Sequence, residues 1–122
     1  MKVSELNDID PALGLMAEFS KISHGTSEHL GEMRAAVFTD GVLPARIKAL
    51  AAVLWGVSAR CEPCLKFYVR RARELGATDA EVGEMLAIAV AMGGCVGEMW
   101  ALKAFQAASG QSETEGESCC PA

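Results

Sequence analysis

Between Pro44 and about Val57 the chain carries Ile47, Leu50, Ala51, Ala52, Val53, Leu54 and Trp55, apolar residues on nearly every side of a helix. A segment of that composition has to be enclosed, so the rest of the chain is expected to supply helices that pack around it. Strand is the competing reading for Ala52 to Val57, but the length of the run and its alanines favour helix.

The flanking sequence supplies such helices. Asp10-Pro11 pairs a cap residue with proline at the first helical position, which predicts a helix to about Ile22 with Leu13, Met16, Phe19 and Ile22 on its apolar face. A second helix is expected from Thr26 or Ser27 to Phe38, lined by Leu30, Met33 and Val37, with Gly41 suited to a left-handed cap. Ser58-Ala59-Arg60 makes a short break, after which Pro63 suits the first turn of a helix that begins near Cys61 or Glu62 and stops before Gly76. Thr78-Asp79-Ala80-Glu81 reads as a capping box for a helix to about Met92. Gly93-Gly94 interrupts the pattern, and a last helix from about Val96 to Ala108 turns Met99, Trp100, Leu102 and Phe105 towards a core or a partner. The expected fold is all-α, a bundle of five to six helices in one domain over residues 1–108. From Ser109 the chain turns to Gly, Ser, Gln, Thr and Glu, a composition that cannot bury enough apolar surface to order itself. Residues 109–122 therefore read as a flexible acidic tail, ending in Ser118-Cys119-Cys120-Pro121-Ala122.

Charge and hydropathy exclude several functions. The net charge of −5 argues against nucleic acid, which needs a basic face to release counterions. The basic cluster Lys66, Arg70, Arg71 and Arg73 spreads round a helix and reads as a solvated or subunit-contacting face. No uncharged apolar run approaches the roughly 18 residues of a membrane span. Acids near the first methionine stand where an export signal would be apolar, so a cytoplasmic location is expected.

Five cysteines in such a chain point to thiol chemistry or metal binding before a structural disulfide framework. Cys61-Glu62-Pro63-Cys64 is the strongest pattern. Two cysteines in the first turn of a helix are close enough to bond, and the unpaired backbone amides there stabilise a thiolate. A helix end contributes roughly 0.3 to 2 kcal/mol, enough to bring a thiol from near 8.5 towards about 7. Arg60 and Lys66 favour ionisation and Glu62 opposes it. Three other readings compete. Half of a zinc site would need a second ligand pair, whereas Cys95 stands alone and Cys119-Cys120 are adjacent in the tail. Covalent haem would need histidine after the second cysteine, and Leu65 follows. The pair could also be plain core cysteines. No cofactor is expected.

With these pieces in order, the sequence resembles the carboxymuconolactone decarboxylase superfamily, and within it the peroxidase branch typified by alkyl hydroperoxidase D. The resemblance runs from about Phe19 to Phe105. It rests on Asp40-Gly41-Val42-Leu43 before a Lys48-containing apolar helix, on Cys61-Glu62-Pro63-Cys64, on Ala72 to Thr78 with acids opening the next helix, and on Gly93-Gly94. It implies a trimer or hexamer whose cysteine pair cycles between dithiol and disulfide, reducing a peroxide or accepting electrons from a dihydrolipoyl or similar thiol donor. Cys61 and Cys64 match the family directly. The branch's relay histidine falls at Tyr68 and its relay glutamate at Ala49. Tyrosine, with an ordinary pKa near 10 against about 6.5 for histidine, is no equivalent base at neutral pH.

Substitutes for that relay are Glu98 and Cys95, which open the last helix, and Tyr68 as a hydrogen-bond donor to a thiolate. Cys119 and Cys120 could resolve or shuttle a disulfide, or bind a soft ion. The function expected is a thiol-disulfide oxidoreductase with alkyl-hydroperoxidase-like peroxide reduction as its finer form, acting on a small peroxide or disulfide with a thiol electron donor. The alternative is a non-enzymatic thiolate binder of soft metal or metalloid ions. Decarboxylation or lactone chemistry has no acid/base constellation to support it.

Overall fold

The computed structural model describes residues 3–110, with side chains from residue 6 onward. Cys119 and Cys120, and the tail reading attached to them, lie outside the described residues. Six α-helices and one 3₁₀ segment make up the described chain, with no strand among the described residues. The architecture is all-α, and the chain divides into two compact units, Met1–Pro44 and Ala45–Ala122.

The first unit contains α1 (Val3–Ile9), a 3₁₀ turn (Pro11–Leu15), α2 (Met16–Ile22) and α3 (Thr26–Val37). The Asp10 carboxylate accepts from the Ala12 amide at 2.9 Å, as its cap position predicts, but the first turns are 3₁₀ and α-helix begins only at Met16. Gly41 is not a left-handed cap; positive φ falls instead at His24 and Gly25, which join α2 to α3. The expected apolar face of α2 is poorly covered, since Phe19 is 56% and Ile22 81% exposed. Leu30, Met33 and Val37 of α3 are exposed as well.

The second unit holds the core. Helices α4 (Ala45–Ser58), α5 (Glu62–Glu74) and α6 (Asp79–Ala108) pack on one another in all three pairs. Ala49, Leu50, Val53 and Val57 of α4 meet Leu65, Val69 and Ala72 of α5 and Val82, Leu86, Ala101 and Ala104 of α6, all buried. α4 is thus the central helix, though its apolar residues are not all enclosed: Trp55 remains 64% exposed. Burying the five largest fully enclosed side chains, Leu50, Leu65, Val53, Val69 and Val82, contributes on the order of 1.5–3 kcal/mol each before the entropy of ordering is set against it. The capping box forms as expected, with Thr78 Oγ1 accepting from the Glu81 amide at 3.1 Å and the Thr78 amide donating to Glu81 at 3.0 Å. Glu81 also pairs with Arg46, tying the start of α6 to α4.

The expected break at Gly93-Gly94 is present within α6: two helical limbs meet at a sharp kink where Gly94 alone leaves helical geometry (φ 58°, ψ −138°). The bend is large. A Cβ added at Gly97 would overlap the Ala89 carbonyl oxygen, whereas eight residues of straight helix would separate those positions by about 12 Å. The chain therefore folds back so that Gly97 rests on the preceding limb. By length and composition this helix is apolar enough to cross a membrane, yet neither limb reaches the ~20 residues a span requires. On the second limb the small residues Ala101 and Ala104 face the core, while Leu102 and Phe105 are about half exposed.

Candidate functional site

The site is built where α4 ends and α5 begins. α4 closes in a Schellman motif: the Arg60 amide donates to the Val57 carbonyl at 3.1 Å and the Cys61 amide to the Gly56 carbonyl at 2.8 Å. That motif needs a left-handed residue at the penultimate position, usually glycine, and here Arg60 takes it with φ 56°. Cys61 then serves two helices, ending the motif of α4 and acting as N-cap of α5. Its backbone is extended (φ −97°, ψ 96°) and its side chain makes no capping hydrogen bond. Its carbonyl accepts from Leu65 at 3.0 Å, the first bond of the new helix.

Cys61 and Cys64 are joined as a disulfide with Cα atoms 5.3 Å apart, well within the usual span of such bonds. Both are partly exposed. Pro63 lies in the first turn, where its missing amide costs no hydrogen bond, and the remaining first-turn amides make this end of α5 electropositive. The nearby side-chain charges largely offset each other, since Lys66 sits 3.2 Å from Glu62 one turn along. Two others of the basic cluster are also paired: Arg71 lies 3.2 Å from Glu74, and Arg73 pairs with Asp79. That is a largely neutralised face.

Close approach of α4 makes the arrangement possible. A Cβ added at Gly56 would lie 3.0 Å from the Leu65 amide nitrogen and 3.3 Å from Cys64 Cβ. Gly56 is therefore what lets the cysteine-bearing turn settle against α4. Sequence reading missed this glycine. Its signal was a lone glycine inside a strong helical pattern, which marks close backbone contact without naming the partner.

Between the end of α4 and the bend of α6 lies a groove of about 410 Å³, lined by Val57, Ser58, Arg60, Ala89, Met92, Gly93, Val96 and Gly97. Arg60, the chain neighbour of Cys61, stands in its wall, while neither cysteine lines it. Cys95 is an exposed free thiol and Glu98 is exposed. Three residues apart on a helix, these two share one side, and Val96 and Gly97 occupy the other. Tyr68 is on the core side of α5, 9% exposed, its ring edge-on to Phe67 at 4.9 Å between centroids. Among the described residues no group of three or more His, Cys, Asp and Glu could hold a metal ion.

This helical order is matched by the family model described as carboxymuconolactone decarboxylase family, over residues 26–107. The chain belongs to the carboxymuconolactone decarboxylase family. An uncharacterized protein of Cupriavidus necator is 36% identical over 102 residues, covering 84% of this chain and 88% of that one. The crystal structure of the apo form of a carboxymuconolactone decarboxylase family protein from Legionella pneumophila superposes with a TM-score of 0.78 at 28% identity, covering 91% of this chain and 97% of that chain. Within this family member, the match begins at Thr26 and leaves out α1 and α2. The two positions read as departures from the peroxidase branch, Ala49 and Tyr68, are both buried, on facing helices of the core. Ala49, at 0% exposure, has no proton to give, so the side chains present at these two positions make no acid-base relay of the Glu/His type.

Proposed function

We propose that this family member is a thiol-disulfide oxidoreductase in which Cys61 and Cys64 alternate between dithiol and disulfide, with small peroxides or disulfides as oxidants, in the manner of alkyl hydroperoxidase D. The observation that carries the reading is the bonded cysteine pair at a partly exposed helix N-terminus. In the peroxide reaction one thiolate attacks an oxygen of the O–O bond, and the bond's electrons leave with the other oxygen, which is protonated to alcohol or water. The sulfenic acid so formed is attacked by the second thiol, releasing water and closing the disulfide. A thiol donor then restores the dithiol through a mixed disulfide. The first-turn amides of α5 stabilise the attacking thiolate; without a Glu/His relay, the leaving oxygen takes its proton from solvent or from the second thiol. Peroxide turnover is accordingly slower than relay-equipped chemistry would give.

Stopped-flow mixing of reduced protein with hydrogen peroxide, an organic hydroperoxide and an aromatic disulfide tests this. Wild type is expected to lose both thiols in one cycle, while Cys61→Ser and Cys64→Ser stop at a sulfenic acid or a mixed disulfide. Equal, uncatalysed rates for wild type and free cysteine would sink the proposal. A homo-oligomer, trimer or hexamer, is part of the same reading, supported by the exposed Trp55, Leu102 and Phe105. Light scattering that returned the monomer mass of 12.9 kDa would refute it.

A further inference from the structure

We propose that the groove between the end of α4 and the bend of α6 binds small apolar molecules ending in a carboxylate, with Arg60 as the anion-recognising, specificity-determining residue. The proposal deepens the redox reading by naming the substrate class, and it rests on that reading only for what becomes of the bound molecule.

The groove has the size of a small-molecule site, lined by apolar side chains from Val57, Ala89, Met92 and Val96 together with the polar Ser58 and Arg60. Gly93 and Gly97 contribute wall without side chain, and nothing lies within 4 Å of a Cβ at Gly93, so the space is open there. Arg60 is the lone charged residue in the lining. Among the described residues no carboxylate pairs with it, in contrast to Arg46, Arg71 and Arg73, each of which has an acidic partner. An apolar trough with one uncommitted guanidinium complements an apolar body with one carboxylate, which the planar fork of arginine holds in two parallel hydrogen bonds.

The position of Arg60 is fixed unusually well. Both its own amide and that of Cys61 are tied to carbonyls of α4, so its Cα cannot drift from the cysteine pair. It also occupies a left-handed conformation that glycine would adopt without strain. A large cation at a position glycine would occupy without strain, in the wall of a groove, is explained by what its side chain recognises. A ligand anchored there presents the rest of its length along Met92 and Val96.

Binding can be measured without redox turnover. Octanoate and octanamide share an apolar body and differ in charge. Titrated by calorimetry into the full-length oxidised protein, octanoate is expected to bind about tenfold more tightly than octanamide, the size of one charge-assisted hydrogen-bonded contact at an open site. Arg60→Gln should erase that ratio and leave the amide's affinity unchanged, and Arg60→Lys should restore part of it. Val96→Trp, which fills the groove, should weaken both ligands. Equal affinities in wild type, or a ratio that survives Arg60→Gln, overturns the proposal. So does failure of both to bind, which would leave the groove to contact between subunits. If Cys61→Ser retains the octanoate preference while stopped-flow shows no thiol chemistry in wild type, the binding site stands and the redox reading alone fails.

Discussion

Gly93 and Gly94 are neighbours with the same side chain and opposite expected responses to the same substitution. At Gly94 the backbone has φ 58° and ψ −138°, a region that residues bearing a Cβ essentially never occupy. Forcing alanine there costs about 1–3 kcal/mol; reduced freedom of the unfolded chain returns about 0.4–1 kcal/mol. The net destabilisation is about 1–2 kcal/mol. At Gly93 the backbone has no positive φ, and an added methyl meets nothing within 4 Å. Alanine there gains about 0.5–1 kcal/mol from helix propensity and unfolded-state entropy. The two variants should therefore differ by roughly 2–3 kcal/mol, with wild type between them. With a urea dependence of about 1–3 kcal/mol per molar, their unfolding midpoints should lie roughly 1–2 M apart. Circular dichroism in urea, at one protein concentration so that any assembly contributes equally, reads this directly. Gly97→Ala should fall with Gly94→Ala, because the obstacle to its methyl is the Ala89 carbonyl, a backbone atom that cannot swing aside. The reasoning is refuted if Gly94→Ala unfolds at the same urea concentration as Gly93→Ala or higher.

Three further substitutions test the site's construction. Gly56→Ala pushes on the Leu65 amide and Cys64 Cβ and should cost about 1–3 kcal/mol in urea unfolding of the oxidised protein, with a parallel change in thiol reactivity after reduction. Arg60→Gly relieves about 1–2 kcal/mol of left-handed strain at the Schellman position and loses about 0.4–1 kcal/mol to the freer unfolded chain, so stability should rise by about 0.5–1 kcal/mol, seen as a higher melting temperature; a fall would mean that the Arg60 side chain contributes packing that outweighs the strain. Thr78→Ala removes half of the capping box and should cost about 1 kcal/mol. An unchanged melt for Thr78→Ala would show that the Arg46–Glu81 pair alone holds the start of α6.

The helical class, the start of α5 at Pro63, the capping box at Thr78 and the cysteine pair were all legible in the sequence, because each is local. Caps, proline and a pair three residues apart act over a turn or less, and their geometry follows from residue type. What stayed hidden was set by neighbours distant in the chain. Trp55 and Phe19 look like core residues by composition, yet nothing in a sequence reports which apolar side chains are left uncovered. The glycine pair announced the interruption, but that the second limb doubles back on the first depended on Gly97 reaching the backbone of Ala89. Arg60 read as a helper of the thiolate through charge alone. Only the tertiary structure put it in a left-handed position and in the wall of a groove made by α4 and α6, since a groove exists only where separate helices meet. The sequence by itself determined the chemistry available, a dithiol at a helix end; the packing of α4, α5 and α6 decided what can approach it.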